Sequence, residues 1–436
     1  MATTLATLRQ RLLESISDFI EVEVTTAIAA GTSVVSTNLK EYDGGADDYF
    51  NGRYVYIKDY KNAGVERQVS DYVSSTGTLT VRGANLTSDG TDKATIWVCR
   101  HSVLQRVDKA INRAIEEIYP ALHRSIDDLS LVTGNALPDG SFEWWTSSSA
   151  LKWYSTSNAT LEQTTALYRG QRGSMSMKVT ASAADGYAYI SSNTYPRLLD
   201  LMNTEVDLYA WAYPSADDDA FLTIYTLKVD GSTQTINSTT TCPASKWTLL
   251  EIENQAINDE IVEVQIRFRV HTNGENAYFD DAILGGRGLY EYLLPYNLQN
   301  GGVDQVYVQT ENYAELAPYD LHPEDYRQAP FLIIDDDTYS YLRLRELPLS
   351  YRRLRLIGVS PLESLSSATD TITLDEGGRT DLLIAYASYL LYEMTESPVS
   401  SEDTSRYERE SAKRYNKYLR LLRRHRMGTP AGRLRV

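Results

Sequence analysis

The residue types that most often carry chemistry are few in this chain and stand apart from one another. Cys99 and Cys242 have no metal-like spacing and are predicted to be buried apolar residues. The histidines occur in no catalytic or zinc-binding motif and are predicted to be solvated or capping residues: His101, His123, His271, His322 and His425. The sequence also contains no phosphate-binding loop and no serine-hydrolase elbow. It therefore predicts a protein that is not an enzyme.

Acidic residues offer one candidate for ion binding. Most acidic runs coincide with turn signals and are predicted to be solvated. Asp280 and Asp281 differ, because they interrupt an apolar strand pattern, where a carboxylate needs a charged partner. A calcium ion would satisfy this need, and so would an ion pair with Lys178 or with an arginine. Adjacent strand residues face opposite sides, so only one of the two acids can face such a site.

The strand with these acids belongs to a long middle segment, residues 135–286. This segment is rich in Ser, Thr, Ala and aromatic residues, and it shows several period-two strands without a helical pattern. The clearest alternation runs through residues 264–271, where Val264, Ile266, Phe268 and Val270 take one side and polar residues the other. Regularly spaced strands of this kind are typical of a two-sheet sandwich.

The segments on either side of the sandwich combine helical and β-like patterns. Short β-rich runs separated by turn signals predict a small antiparallel sheet or barrel over residues 21–98, and three further strands are predicted within residues 330–361. Pro120 should interrupt a helix near its end. Apolar residues at helical spacing predict helices at residues 3–19, 101–124, 379–395 and 402–426.

Because the two flanks share this character and the middle lacks it, we predict an insertion. The first and third domains would be two halves of one body, from which the sandwich projects. The predicted fold class is α+β multidomain, with a helical body that carries small antiparallel β elements and an inserted all-β jelly-roll sandwich. The predicted domains are residues 1–134, 135–286 and 287–426, followed by an extended basic tail at 427–436.

Composition and charge limit the possible partners. The chain of 436 residues is longer than one domain usually is, and its formal net charge of −17 argues against general nucleic-acid binding. No apolar run approaches the roughly 20 residues that span a bilayer, so we expect no membrane partner. Residues 406–436 nevertheless contain eleven Lys or Arg and only two Glu. A basic end on an acidic chain predicts docking on an acidic neighbour.

Five motifs of the middle segment occur in a recognisable order. They are Asn135 with SFEWW, then GSMSMKV, LYAWAYP, KWTLLEIE and YFDDAIL, and they cover roughly residues 135–284. Together they resemble the jelly-roll carbohydrate-binding modules that are appended to polysaccharide hydrolases. The resemblance implies a structural calcium ion, with Glu143 and Asp280 as its ligands.

The same resemblance implies glycan binding by aromatic platforms. Trp211 and Trp247 lie within alternating strands and are predicted to be core residues. Other aromatic residues of the segment are Tyr187, Tyr189 and Tyr213. The residues that we expect to contact a glycan are Trp144, Trp145, Trp153 and Tyr154.

Motifs in the two flanks suggest a second resemblance. YDGGADDYFNGRYVYI and ERQVSDYVSSTGTLTV occur early, and the stretch from RRLRLIGVSP to YASYLLYE covers residues 352–393. These motifs resemble the neck proteins of tailed bacteriophages, the head-to-tail connector or adaptor family. The resemblance implies a helical connector body in a homo-oligomeric ring, a dodecamer in that family, with a C-terminal extension that docks on the portal protein. The arginines of that extension would be Arg420, Arg423, Arg424, Arg426, Arg433 and Arg435.

The first hypothesis is a structural virion protein of a phage neck, assembled in the host cytoplasm. Its ring would lie between the portal and a tail or tail-completion protein, DNA would pass the lumen without sequence-specific binding, and the outward sandwich could bind a surface glycan. The alternative is a glycan-binding tail-fibre or accessory protein with helical tethering segments. Coiled-coil heptads or elongated β-repeats would mark a fibre, and the sequence shows neither. A carbohydrate-active enzyme would need an acid/base pair that the sequence does not offer.

Overall fold

A computed structural model of the chain describes residues 2–100, 103–169, 173–286, 288–310, 325–374, 377–394 and 401–425. Strands account for 40% of the chain and helices for 21%. The predicted fold class, a helical connector body around an inserted sandwich, is therefore wrong, because the protein is mostly β. The first two helices are only 12 and 15 residues long, and the chain between them forms a six-stranded sheet.

The secondary-structure elements follow one another along the chain with these bounds. Up to residue 128 they are β1 (Ala2–Thr4), α1 (Leu5–Ile16), β2 (Phe19–Glu23), β3 (Ser33–Val35), β4 (Tyr54–Ile57), β5 (Glu66–Val73), β6 (Thr78–Val81), β7 (Thr95–Cys99), α2 (Leu104–Ile118) and β8 (Arg124–Asp128). In the middle segment they are β9 (Trp145–Ser147), β10 (Ala150–Leu151), β11 (Ser155–Ser157), β12 (Ala159–Thr164), β13 (Ser176–Ala181), β14 (Gly186–Ser191), β15 (Glu205–Pro214), β16 (Ala220–Lys228), β17 (Thr233–Asn237), β18 (Thr248–Ala256), β19 (Ile261–Val270) and β20 (Asn276–Gly285). Beyond it they are β21 (Glu291–Leu293), α3 (Tyr296–Gln299), β22 (Gly302–Gln309), β23 (Tyr326–Gln328), β24 (Phe331–Asp335), β25 (Ser340–Leu344), β26 (Leu354–Ser360), β27 (Thr371–Thr373), α4 (Gly377–Glu393) and α5 (Ser401–His425). Short 3-10 helices lie at Thr37–Glu41, Tyr60–Asn62 and Pro196–Leu201.

Local sequence explains where the first helices begin and end. The Thr4 side chain accepts a hydrogen bond from the backbone N–H of Thr7, which caps the start of α1. Ser17 takes the left-handed conformation that commonly follows a helix end. α2 ends at Ile118, earlier than the predicted residue 124, because Pro120 cannot continue the backbone hydrogen bonding.

The described residues within Met1–Arg124 and Pro361–Thr429 form one compact unit. Its six strands pair in the order β2-β7-β4-β5-β6-β3 around a core that includes Phe50, Tyr72 and Leu79. α4 is apolar on nearly all sides and packs against α1, α2 and α5 in a second core. β1 pairs with β27, so the start of the chain and the segment that follows residue 360 belong to one fold.

The described residues within Ser125–Ser360 form the other compact unit. Its largest part is a sandwich of two five-stranded antiparallel sheets. The front sheet has the order β11-β14-β19-β16-β17, and the back sheet has the order β12-β13-β20-β15-β18. Their inner faces bury one core, to which Phe142, Leu222, Ile266, Phe268 and Phe279 contribute. The alternation predicted for residues 264–271 is confirmed, since the apolar members are buried and the polar members face outward.

The same unit contains more than the predicted insertion. Two small sheets, β21-β25-β24 and β23-β22-β26-β8, share a core that includes Leu298, Val306, Leu342 and Leu356. The strands of these sheets come from residues on both sides of the sandwich, because β8 pairs in a sheet with β22 and β26. This unit therefore begins at residue 125 and ends near residue 360, outside the segment 135–286.

Candidate functional site

Three neighbouring strands of the front sheet, β14, β19 and β16, bring aromatic and polar side chains together on its outer surface. The strand ladders align Tyr189 with Arg267 and Tyr225 with Gln265. Ile266, which lies between the two β19 positions, is fully buried in the sandwich core, so its neighbours must face outward. We use the name front face for five residues that are each half-buried: Tyr187, Tyr189, Tyr225, Gln265 and Arg267.

Arg267 lies at the centre of the front face. Its guanidinium carbon is 4.0 Å from the ring centroid of Tyr225 and 4.7 Å from that of Tyr187. The two tyrosines come from the strands on either side of β19, so the cation has an aromatic ring on each flank. The ring of Tyr189 lies 5.6 Å from that of Tyr187, centroid to centroid. The three rings and the guanidinium are thus neighbours on one surface of the sheet.

Hydrogen bonds continue from Arg267 along β19. Arg267 Nε donates to Gln265 Oε1 at 2.8 Å, and Gln265 Nε2 donates to Glu263 Oε1 at 2.8 Å. The same Glu263 oxygen accepts from Ser191 Oγ at 2.9 Å and from Asn193 Nδ2 at 3.1 Å. Burial lowers the pKa of Arg267, because desolvation disfavours its charged form. Gln265 therefore separates the arginine from the nearest acid along the strand.

Arg269, the next outward residue of β19, has different partners. Its Nη2 lies 3.0 Å from Asp185 Oδ1, and its guanidinium carbon is 4.5 Å from the centroid of the Phe221 ring. His271 Nδ1 lies 2.8 Å from the same Asp185 oxygen. The hydrogen bond with His271 is the main reason that the pKa of Asp185 is lowered, and Arg269 adds to the effect. Arg269 is therefore neutralised within the protein.

The front face is suited to recognition of a ligand that is apolar on one side and polar at its edges. Tyrosine rings supply rigid apolar area with a hydroxyl at the tip. Gln265 can donate and accept, and Arg267 can donate through a planar fork. The side chains lie on a hydrogen-bonded sheet, so their spacing is set by the strand ladders and needs little adjustment on binding.

The structure places the four aromatic residues predicted to contact a glycan away from the front face. Trp153 and Tyr154 are 9% and 8% exposed and belong to the sandwich core. Trp144 and Trp145 are half-buried against the same core, and Trp145 Nε1 donates to the carbonyl oxygen of Phe142 at 2.7 Å. Sugar contact by these four residues stays a prediction, and their observed contacts are with protein.

Two of these tryptophans form an aromatic cluster with the segment that follows the sandwich. The ring of Tyr339 lies 5.7 Å from Trp144 and 5.4 Å from Trp153, centroid to centroid. Tyr296 also contacts Trp144 at 5.6 Å, and Tyr195 contacts Trp153 at 5.6 Å. Edge-on and tilted contacts at these distances are typical of aromatic packing in a core. The cluster thus attaches the sandwich to residues 288–360.

The two predicted calcium ligands accept hydrogen bonds from backbone groups that are close in sequence. Glu143 Oε1 accepts from the N–H groups of Ser174 at 2.8 Å and Met175 at 3.0 Å. Asp280 is 2% exposed, and its Oδ2 accepts from the N–H of Arg169 at 2.7 Å. Both carboxylates therefore hold the chain between β12 and β13.

Calcium prefers roughly six to eight oxygen ligands, whereas the contacts described for Glu143 and Asp280 are with backbone N–H groups and with the Ser174 hydroxyl, which donates to Glu143 Oε2 at 3.2 Å. Burial raises the pKa of Glu143 to about 7 and that of Asp139, on the same turn, to about 6. Within the described ranges no group of three or more His, Cys, Asp or Glu residues is placed to hold a metal ion. The described donor set fits calcium incompletely, and calcium binding stays a prediction.

Asp281 has the arginine partner that the sequence left open as an alternative to calcium. Arg353 Nη2 donates to Asp281 Oδ2 at 2.8 Å and Nη1 donates to Oδ1 at 3.3 Å, and the two side chains are only 2% and 7% exposed. Asp281 has a φ of 53°, and the ladder between β15 and β20 is irregular at this point. The irregular backbone allows Asp280 and Asp281 to face different partners.

The predicted docking arginines lie at the end of the chain. Arg420, Arg423 and Arg424 are exposed on α5, whose last turn is basic. Arg426, Arg433 and Arg435, with the predicted tail at 427–436, lie outside the described residues. Docking on a portal protein stays a prediction.

The sequence did not predict that the five residues of the front face lie together on one surface. Arg267 was predicted to face outward, and Tyr187 and Tyr189 were among the candidate aromatic residues. The useful signal is an aromatic residue at an outward position of an alternating strand, which Tyr187, Tyr189 and Tyr225 share. What the sequence does not contain is the order β14-β19-β16, which makes these positions neighbours.

The part of the chain that the structure describes has no helix with the length and apolar character needed to cross a bilayer.

No protein-family model and no curated protein matches the chain. Similar solved structures include the C-terminal family 22 carbohydrate-binding module of Clostridium thermocellum Xyn10B, with 16% identity, a TM-score of 0.30, and coverage of 35% of this chain and 93% of that one. The xylan-binding domain CBM22-1 of Paenibacillus barcinonensis Xyn10C has 16% identity, a TM-score of 0.28, and coverage of 37% and 97%. The enzymatically active domain of tailspike protein 4 of bacteriophage CBA120 has 13% identity, a TM-score of 0.27, and coverage of 35% and 22%. Scores this low carry no argument about function, and the resemblance to phage neck proteins stays a prediction.

Proposed function

We propose that the front face binds a glycan chain. The observation that carries the proposal is the group of half-buried tyrosines on one hydrogen-bonded sheet, in which Arg267 lies between Tyr187 and Tyr225. The C–H faces of a sugar ring are apolar and its hydroxyl groups lie around the rim. Tyrosine rings can cover the faces, and Gln265 and Arg267 can hydrogen-bond the rim.

The experiment is a binding measurement with the full chain against a panel of neutral and acidic oligosaccharides of defined linkage. Tyr187→Ala and Tyr225→Ala should each weaken binding at least about tenfold, since truncating an aromatic contact residue at a binding site commonly costs more than about 1.4 kcal/mol. Tyr278→Ala is the matched control, because Tyr278 is a half-buried tyrosine of the back-sheet strand β20.

The outcomes separate the front face from other surfaces of the chain. Binding that survives both front-face substitutions but is lost in Tyr278→Ala would place the site on the back sheet. Binding that is lost only on substitution of Trp144 or Trp145 would support the residues predicted from the sequence. A panel in which no oligosaccharide binds would reject the proposal.

We further propose that binding occurs without catalysis and that the protein is a glycan-binding accessory or tail-fibre component of a phage virion. In this role the compact unit of residues 1–124 and 361–429 would tether the chain to a larger assembly. Incubation of bound oligosaccharides with the protein should release no new reducing ends. Release that depends on a residue of the chain would contradict the non-catalytic role.

A ring in the phage neck is the second candidate, favoured by the exposed Arg420, Arg423 and Arg424 on a chain with a formal net charge of −17. Under this proposal copies of the chain associate, and the basic end docks on an acidic portal surface. Mass measurement of the purified protein distinguishes the candidates: a defined large oligomer would favour the ring, and a monomer in every buffer would reject it.

A further inference from the structure

We propose that Arg267 binds a carboxylate group of the glycan, so that the front face selects acidic over neutral sugars. This inference rests on the proposed glycan binding by the same face. It concerns the class of sugar and the single residue that selects it.

Among the described residues, none accepts a hydrogen bond from the two terminal nitrogens of the Arg267 guanidinium. Its Nε donates to Gln265, and the rings of Tyr187 and Tyr225 lie 4.7 Å and 4.0 Å from its guanidinium carbon. Across the residues that the structure describes, no carboxylate lies within ion-pair distance of Arg267. The remaining N–H groups form the planar fork that arginine uses to bind carboxylates with two parallel hydrogen bonds.

Arg269, the neighbouring outward arginine of β19, differs from Arg267 because it has an acidic partner within the protein. Arg269 faces the same side of β19 two positions later, and Asp185 neutralises it at 3.0 Å. Arg353, elsewhere in the same unit, is neutralised by Asp281 in a buried bidentate pair. Arg267 is half-buried but lacks such a partner among the described residues, so the front face presents a partly desolvated positive charge to a ligand.

Glu263 is the acid that limits where the ligand carboxylate can lie. Its Oε1 is held by Ser191, Asn193 and Gln265, on the side of Gln265 away from Arg267. A ligand carboxylate at the fork of Arg267 is kept from Glu263 by the Gln265 amide. A ligand carboxylate placed closer to the start of β19 would meet the like charge of Glu263. A bound acidic sugar is therefore expected to orient its carboxylate toward Arg267.

The test uses the full chain and two oligosaccharides of equal length: an oligomer of galacturonic acid and the same oligomer after reduction of its carboxyl groups to hydroxymethyl groups. A sulfated oligosaccharide and a neutral panel are measured in parallel. The acidic oligomer should bind at least about tenfold more tightly than its reduced form, the factor that one charge-assisted hydrogen bond provides. The preference should weaken with added salt.

Arg267→Gln should abolish the preference, so that the acidic oligomer and its reduced form bind with affinities within about twofold of each other. Arg267→Lys keeps the charge without the fork and should restore only part of the preference. Lys178→Gln is the matched control, because it removes the same charge on the back sheet, where Lys178 is paired with Glu162 at 2.9 Å. The control should leave the preference unchanged.

Each outcome has one meaning. Equal binding of the acidic and reduced oligomers overturns the inference and leaves glycan binding intact. An acidic preference that survives Arg267→Gln, or that falls equally in Lys178→Gln, overturns the role of Arg267. Stronger binding of the sulfated chain than of the carboxylated one overturns the carboxylate assignment. If no member of any panel binds, the inference and the proposed glycan binding both fail.

Discussion

The front face and the seam of the second unit use the same side-chain types for different purposes. The seam is the contact between the sandwich and residues 288–360, made by Trp144, Trp153, Tyr339, Asp281 and Arg353. In the seam the rings pack on one another, and the arginine is fully neutralised by an acid. On the front face the rings flank an arginine that has no acid within ion-pair distance in the described chain. The partners of an aromatic or basic residue, rather than its type, distinguish a structural contact from a surface prepared for a ligand.

The largest effect should come from the buried ion pair of the seam. Asp281→Ala should lower the free energy of unfolding by about 3–5 kcal/mol, because it leaves the buried charge of Arg353 without its partner. Denaturant unfolding of the full chain measures this change. Replacing both residues with leucine should cost less than Asp281→Ala alone, since the substitution then leaves no unpaired charge from this ion pair. If the free energy of unfolding fell by less than about 1 kcal/mol, the ion pair between Asp281 and Arg353 would be accessible to water.

The aromatic cluster of the seam should be the next most sensitive. Trp153→Ala should lower the free energy of unfolding by about 3 kcal/mol, because it removes a large core side chain that is 9% exposed. Thermal and denaturant unfolding measure the loss, and Trp153→Phe should recover much of it. If Trp153→Ala instead abolished glycan binding without destabilising the fold, the distinction between the seam and the front face would fail.

Glu143 should make stability depend on pH. Its pKa is raised to about 7 in the folded state, so the folded protein holds a proton that the unfolded chain loses near its ordinary value of 4.5. Stability should therefore fall as pH rises from about 4.5 to about 7, by roughly 1–2 kcal/mol after allowance for solvent screening. Glu143→Gln should flatten this part of the profile, while Asp139 contributes with the same sign below its pKa of about 6. A profile that is level between these values, or unchanged in Glu143→Gln, would contradict the assignment.

The pH profile also tests the predicted calcium ion. Calcium bound by Glu143 and Asp280 would stabilise the ionised carboxylates, so added calcium should raise the melting temperature most at pH 8 and a chelator should reverse the gain. Glu143→Gln should remove the response. If calcium and chelator leave the melting temperature unchanged at both pH 6 and pH 8, the predicted calcium site is rejected.

The smallest effect on stability should be on the front face itself. Tyr187→Ala should change the free energy of unfolding by less than about 1 kcal/mol, because the ring is half-buried on an outer surface and fills no core cavity. Its effect on glycan binding should be much larger. A stability loss equal to that of Trp153→Ala would show that the front face is a structural surface like the seam.

Several features of the fold were predictable because they depend on neighbours in sequence. The alternation of residues 264–271 identified which side of β19 is buried, and Pro120 indicated that α2 ends close to this residue. The apolar residues of α4 occur on nearly all sides of the helix, a pattern that indicates burial on more than one side. The helical share of the flanks was overestimated, because strands such as β8, β21 and β22 carry weak local signals that only pairing across a sheet makes stable.

The sequence by itself determined the periodicity of each strand and helix and the pool of aromatic, acidic and basic residues from which any site is made. The tertiary structure alone decided that Tyr187, Arg267 and Tyr225 are neighbours, that Asp281 meets Arg353, and that Trp153 lies in the core. Local patterns fix which side of an element is apolar. Strand order and register, which depend on contacts between distant parts of the chain, fix which side chains meet.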